Sequence, residues 1–167
     1  MSLIEENNKF FSSISSYYDK RIIKLWLVSI LKKTLKNVNI KKNSRILDLG
    51  CGTGNLLELL HNQNKNLKLY GIDITNSMLE IAKKKLKSHA KFKLGSAETV
   101  SLNKNYFDYI FSTEAFHHYE NPDLVMQNAY KLLKNNGYFI VVDVEFGKLL
   151  NKIFHKLGIY KLCEPLY

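Results

Sequence analysis

Arginine, cysteine and proline are all scarce in this chain, and each scarcity narrows what it can be. Arginine stands only at Arg21 and Arg45, although lysine and arginine together number 25. Bidentate recognition of phosphates and base edges relies on arginine, so the formal charge of +10 reads mainly as a solvated lysine coat rather than a nucleic-acid surface. Cys51 and Cys163 are the two cysteines, too few and too distant for a disulfide framework or a metal-spaced pair. No metal site is expected, and a reducing, cytoplasmic setting is. Two prolines and no Gly/Ser-rich stretch leave no linker, and no internal repeat is present. No apolar run nears the ~18 residues that cross a bilayer. The opening Ser2-Leu3-Ile4-Glu5-Glu6 lacks the basic start and apolar centre of a secretory signal.

What is present is one globular domain's worth of sequence. A chain of 167 residues, 46% of them hydrophobic, can bury a single core. The reading is one domain over 1–167, divided into an N-terminal helical cap segment (1–40), a cofactor-binding core (41–158) and a tail (159–167).

The informative stretch is Arg45-Ile46-Leu47-Asp48-Leu49-Gly50-Cys51-Gly52-Thr53-Gly54-Asn55, followed by Leu56, Leu57, Leu59 and Leu60. An apolar strand here enters three alternate glycines and then a helical pattern. Glycines permit positive φ and close approach to the backbone, and the helix start adds unpaired N–H groups that favour a polar or anionic ligand group. The dinucleotide fingerprint G-x-G-x-x-G would need glycine where Asn55 stands, and no P-loop lysine follows. The segment from Ile46 to Gly54, with Asp48 two residues before the first glycine, closely resembles motif I of the class I methyltransferases that use S-adenosylmethionine.

Around this motif the pattern alternates strand and helix. Residues 67–73 read as a second strand ending in Asp73, about 20 residues after the glycines, where a carboxylate can accept hydrogen bonds from both ribose hydroxyls. Its alternative role is as an acid at the N-terminus of the helix that begins near Thr75 or Asn76, in which Ser77 and Glu80 are placed like a capping box. Strands are also expected at 91–94, 107–112 and 138–144, the last apolar enough to be buried on both faces. Asn121-Pro122-Asp123 is a helix start, and Asn135-Asn136-Gly137 has the residues of a left-handed helix cap. A last helix over 149–158 and a tail with Pro165 complete the pattern. Before the core, Phe10, Phe11, Ile14, Tyr17, Tyr18 and then Ile22, Leu25, Trp26, Ile30 and Leu31 recur at helical spacing, as one helix or two.

The fold expected is α/β: a Rossmann-like, doubly wound, mainly parallel sheet with helices on both faces. Its ligand site should lie at the carboxyl ends of the strands. The family usually adds strands six and seven beside strand five, and the expectation here is a sheet that lacks both. The sequence therefore leaves three expectations for that edge: a fragment of a longer enzyme, a tail that covers it, or a homodimer through strand five.

The resemblance implies S-adenosyl-L-methionine as cofactor, S-adenosyl-L-homocysteine as product, and a cofactor site built from Asp48, Gly50, Cys51, Gly52, Gly54, Asn55, Asp73, Ile74, Met78, Ser96, Ala97, Glu98 and Ser112. Tyr18 belongs to a region that resembles the family's aromatic segment over cofactor and substrate; its other reading is a core-facing residue. Gly95-Ser96-Ala97-Glu98 is similar to a family segment in which an aspartate, replaced here by Ser96, accepts from the adenine amino group. An uncharged hydroxyl makes that contact weaker. For proton removal, His117 is placed as base with Asp143 orienting it; His118 is the other candidate, and either histidine could instead simply pack. Methyl transfer to a small molecule is the leading expectation. The alternatives are an RNA methyltransferase, disfavoured by the lack of an Asn-Pro-Pro-Tyr-like motif after strand four, and a non-catalytic cofactor-binding subunit.

Overall fold

The computed structural model describes residues 3–18 and 21–143. The N-terminal periodicity resolves into two helices, α1 (Leu3–Tyr18) and α2 (Arg21–Lys36). The core follows as β1 (Arg45–Leu49), α3 (Asn55–Gln63), β2 (Lys68–Asp73), α4 (Asn76–Leu86), β3 (Ala90–Leu94), β4 (Phe107–Thr113), α5 (Pro122–Leu132) and β5 (Leu133–Val142). All five strands pair in parallel, in the order β3-β2-β1-β4-β5. The chain winds outward from β1 to β3 and then returns to the other side of β1, so the crevice between β1 and β4 is the switch point of a doubly wound sheet.

Alternation along β1 builds the two layers. Ile46 faces a core shared with Leu31 and Leu35 of α2, Leu57 and Leu60 of α3, and Leu79 and Leu86 of α4. Leu47 and Leu49 face the opposite core, with Ile72, Phe107, Ile110, and Val125, Ala129 and Leu132 of α5. Leu47 and Ile110 are register partners and have no exposed surface. Cutting either back to alanine costs about 2 to 5 kcal/mol, so this strand pair is a rigid support for the loops above it.

Charge is largely sorted along the strand direction, with Asp108 near the start of β4 and Lys93 near the end of β3 as the exceptions within the strands. Arg45 and Lys68 open β1 and β2, Lys91 and Lys134 are second in β3 and β5, and Lys104 lies just before β4. Asp48 and Asp73 lie at the far ends of β1 and β2, while Glu98, Glu114 and Asp143 follow β3, β4 and β5.

Three local expectations are corrected. The Asn135-Asn136-Gly137 segment is not a helix cap: α5 ends at Leu132, and Leu133 turns extended to pair with Phe107. The next paired residues are Tyr109 and Tyr138, so the intervening segment is a bulge in β5, with Asn136 at φ +64°. A side chain at Gly137 would meet Leu133 Cδ2 at 2.9 Å and the Asp108 carbonyl oxygen at 3.1 Å, which explains glycine there. Ser77 and Glu80 do not form a capping box; Thr75 is the N-cap, and Glu80 pairs with Lys83 at 3.0 Å. Strand five is not buried on both faces either. Among the described residues it is an edge strand, with Tyr138 61% and Val141 42% exposed. The expected helix at 149–158, the tail and the three expectations for the strand-five edge lie outside the described residues. Asn121 does cap α5, its Oδ1 accepting from the Leu124 N–H at 3.1 Å, with Pro122 in the first turn.

Candidate functional site

A cleft opens at the carboxyl ends of β1, β2 and β4. Its floor is the loop Gly50–Thr53 with Asn55; its walls carry Asp48, Asp73, Ile74, Met78, Ser96, Ala97 and Glu98. Ile4, Asn7 and Phe11 of α1 and Leu27, Ile30 and Leu31 of α2 close it from above. The cap segment therefore forms one wall of the cleft.

The three glycines have three different duties. All take positive φ, +71° at Gly50, +51° at Gly52 and +78° at Gly54. A Cβ on Gly50 would stand 2.5 Å from the Ala115 Cβ and 3.2 Å from the Tyr119 hydroxyl, so its bareness lets the turn after β4 pack under the loop. A Cβ on Gly54 would press on Ala82 and Leu86 of α4 at 3.1 and 3.2 Å, and Gly54 does not line the cleft. Among the described residues, Gly52 has nothing within 4 Å of where its Cβ would be, and it does line the cleft. Gly52 is thus the bare backbone offered to a ligand.

Asp73 ties the loop to β2. Its Oδ2 accepts from the Gly52 N–H at 2.7 Å and its Oδ1 from the Thr75 N–H at 2.8 Å. The Ile74 N–H and the Thr75 hydroxyl also bear on this carboxylate. Burial raises the Asp73 pKa and the backbone donors oppose that rise. Asp48 is 1% exposed, and its Oδ1 has no hydrogen-bond partner among the described residues. Burial and the neighbouring Asp73 push its carboxyl well above the usual range. The Cys51 thiol is driven up by burial and by the same two acids. Asn55 Oδ1 is held by Lys85 Nζ at 2.9 Å.

At the other end, the Glu98 N–H donates to Ser96 Oγ at 3.1 Å, while Glu98 Oε1 accepts from the Asn121 N–H at 2.9 Å. The Asn128 amide donates to the carbonyls of Ala97 and Glu98. Ser96 thus spends part of its hydroxyl on the turn that presents it.

After β4 the chain makes a 3₁₀ turn at Phe116–His118. His117 Nδ1 lies 3.3 Å from Asp143 Oδ1, and the His117 N–H donates to Asp143 Oδ2 at 3.2 Å. The two expected partners therefore meet. His118, however, is the histidine that lines the cleft; neither His117 nor Asp143 does. The His117 and His118 ring centres are 3.9 Å apart, so the pair lies directly behind the lining ring. Burial first, and then His117, pushes the His118 pKa down to about 3, leaving it a neutral imidazole. The Asn7 amide donates to the His118 carbonyl at 2.9 Å and the Phe11 ring meets its imidazole edge-on at 5.0 Å, pinning α1 to this turn.

Ser112 has no exposed surface and holds the Tyr119 hydroxyl at 3.1 Å instead of lining the cleft. The Tyr18 side chain lies outside the described residues. Sequence reasoning missed Tyr119, Glu114, Asn7 and Phe11, all of which line the cleft. Tyr119 is a phenol whose pKa burial raises; its position after the histidine pair was the available signal. Phe11 belongs to a helical periodicity that reads as amphipathic, and Asn7 carries no local signal. Glu114 sits at φ +54°, a strained backbone at the cleft rim, with its N–H donated to the Val142 carbonyl at 2.7 Å.

Comparison with known proteins agrees with this geometry. A family model described as a methyltransferase domain matches residues 40–163. A demethylmenaquinone methyltransferase of Lactococcus lactis is 34% identical over 177 residues, covering 98% of this chain and 65% of its own length. A phosphoethanolamine N-methyltransferase of Plasmodium falciparum is 30% identical over 116 residues, covering 67% of this chain and 43% of its own. The chain thus spans under two thirds of the length of these curated relatives. Among solved structures, a SAM-dependent methyltransferase from Thermotoga maritima superposes with a TM-score of 0.75 at 20% identity, over 99% of this chain and 74% of its own. With the glycine loop, the acid at the tip of β2 and the parallel sheet all in place, the chain belongs to the class I S-adenosylmethionine-dependent methyltransferases.

Proposed function

We propose that the cleft binds S-adenosylmethionine and that the protein transfers its methyl group to a small-molecule acceptor. The observation that carries this reading is the pair of acids at the loop: Asp73, fixed on the cleft wall by backbone N–H groups, and Asp48, buried with an Oδ1 unpartnered among the described residues. Asp73 suits a ribose diol, and Asp48 suits a cationic group. Gly52 offers bare backbone between them. Gly50, Cys51 and Asn55 extend that floor, Ile74 and Met78 give an apolar wall, and Ser96 to Glu98 with backbone amides suit the base. Gly54 and Ser112 support the site from behind.

When bound, the cofactor supplies an electrophilic methyl group, and transfer is an in-line displacement governed by alignment. The protein's part is to hold both partners and, for a hydroxyl or ammonium acceptor, to take a proton. His118 faces the cleft as a neutral imidazole. His117, with Asp143 on its Nδ1 side, is the histidine whose protonated form has a counter-charge. We assign His117 as the terminal proton acceptor and Asp143 as the residue that orients it: the His118 ring takes the methyl acceptor's proton on one nitrogen as its other nitrogen releases one toward His117 behind it. The relatives named for a quinone and for phosphoethanolamine support a small acceptor in preference to a polymer. Calorimetric titration with S-adenosylhomocysteine tests the cofactor, and a mass-spectrometric screen for products methylated from labelled cofactor tests the acceptor. Absence of S-adenosylhomocysteine binding, or tight NAD binding, would sink the reading.

A further inference from the structure

A second cluster of polar side chains lies at the opposite end of the sheet. Arg45 and Lys68 are register partners at the starts of β1 and β2, and Tyr70 and Lys91 are register partners one step along in β2 and β3. Register partners, and residues two apart on one strand, point to the same face. All four side chains therefore share the α5 side of the sheet, and Tyr106, just before β4, joins them. The Tyr70 and Tyr106 hydroxyls are 2.9 Å apart. The Arg45 guanidinium lies 4.3 Å over the Tyr106 ring and the Lys91 ammonium 5.8 Å over the Tyr70 ring.

Among the described residues, no carboxylate forms an ion pair with Arg45, Lys68 or Lys91. The acid beside Arg45, Asp108, is already engaged: its Oδ1 meets Lys134 Nζ at 2.6 Å and its Oδ2 accepts the Arg45 backbone N–H at 2.8 Å. The hydroxyl pair spends one of its two protons internally, which leaves one O–H to donate. Three cations and a phenolic donor beside a single acid that Lys134 already pairs make an incomplete arrangement. Consistent with this, the Tyr106 phenol is pulled below its usual range by the bond from Tyr70 and by Arg45, Lys91 and Lys68.

We infer that Arg45, Lys68, Lys91 and the Tyr70–Tyr106 hydroxyl pair form an oxyanion site for a phosphate group, separate from the cofactor cleft. A phosphate supplies several acceptor oxygens and close to two negative charges, which suits this donor set better than a carboxylate does. Lysine and tyrosine reach it as point donors, and the planar Arg45 guanidinium can take two oxygens at once.

The test titrates inorganic phosphate into the full chain and follows backbone amide signals by NMR, with sodium chloride at matched ionic strength as control. Saturable shifts confined to residues around positions 45, 68, 91 and 106 are expected. A Lys68→Gln/Lys91→Gln double variant alters two exposed residues and should keep its melting temperature, yet weaken phosphate at least about tenfold. The Lys68→Arg/Lys91→Arg pair should retain binding, and Tyr106→Phe, which keeps the ring, should weaken it severalfold. Equal shifts with chloride, or undiminished affinity in the Gln pair, would overturn the site. Sedimentation with phosphatidylglycerol vesicles that the Gln pair loses would assign the phosphate to a lipid headgroup. Phosphate binding without sedimentation would assign it to a soluble phosphate ester; either result supports the site.

Discussion

Replacing Asp48 with asparagine should make the cofactor-free protein more stable and its cofactor binding weaker. The carboxylate is 1% exposed, its Oδ1 lacks a partner, and Asp73 repels it. An unsatisfied buried polar group costs about 1 to 3 kcal/mol, and a charged one more. Asparagine keeps the shape and removes the charge, so a gain of about 1 to 3 kcal/mol is expected at neutral pH, or roughly 2 to 9 °C in melting temperature for a chain of this size. The sign with pH follows from linkage. The folded-state pKa of Asp48 lies above its unfolded value, so the native state binds the extra proton, and wild-type stability falls as pH rises from the unfolded value through the folded one. Asp48→Asn lacks that slope. The difference in urea unfolding free energy between variant and wild type should therefore be smallest near pH 4 and widen as pH rises, then level off. In parallel, calorimetry should show weaker S-adenosylmethionine binding. A variant less stable than wild type at neutral pH, or a pH-independent difference, would refute the argument that this acid is held in place for a ligand.

Other outcomes follow from the same geometry. Asp73→Ala frees the Gly52 and Thr75 N–H groups and removes the ribose acceptor, so S-adenosylhomocysteine binding should weaken by about 1.5 to 3 kcal/mol by calorimetry; unchanged affinity would remove the ribose assignment. Gly50→Ala places a Cβ 2.5 Å from the Ala115 Cβ at φ +71°, and should lower stability by about 1 to 3 kcal/mol in thermal melts. His117→Ala should lower turnover about a hundredfold or more with cofactor affinity nearly intact, and Asp143→Asn should follow in part. Equal loss of cofactor binding in His117→Ala would make that residue structural. Asn121→Ala removes the α5 cap and should cost about 1 kcal/mol by denaturant melt.

The part of the fold set by strong local chemistry was legible in the sequence. Three alternate glycines between an apolar run and a leucine-rich helix leave few alternatives, and Asp73 followed from its place at a strand tip. Of the two readings offered for Asp73, the one at the start of α4 has a visible counterpart, since one oxygen holds the residue before that helix while the other braces the glycine loop on the cleft wall. Failures occurred where one sequence signal serves two structures. Asn136-Gly137 supplies a positive φ that suits a helix cap or a strand bulge, and only the pairing of Leu133 with Phe107 decides between them. The assignment of His117 and His118 depends on the orientation of a three-residue 3₁₀ turn, where one step rotates a side chain by about a third of a turn. Tyr119 follows the histidine pair in sequence, but its role depends on a long-range fit beneath Gly50 that no local pattern encodes.

The sorting of charge along the strands gives the molecule an electric dipole, with Arg45, Lys68, Lys91, Lys104 and Lys134 at one pole and Asp48, Asp73, Glu98, Glu114 and Asp143 at the other. A net charge of +10 would repel an incoming cation if it were spread evenly. The acids gathered at the strand tips counter that repulsion locally, so that a sulfonium ligand is drawn to the acidic pole and its arrival slows as salt screens the field. The same polarity distinguishes the two forms of that ligand. Once the methyl group has left, the sulfur is neutral, and the acidic pole no longer holds it by charge, which favours exchange of spent cofactor for fresh.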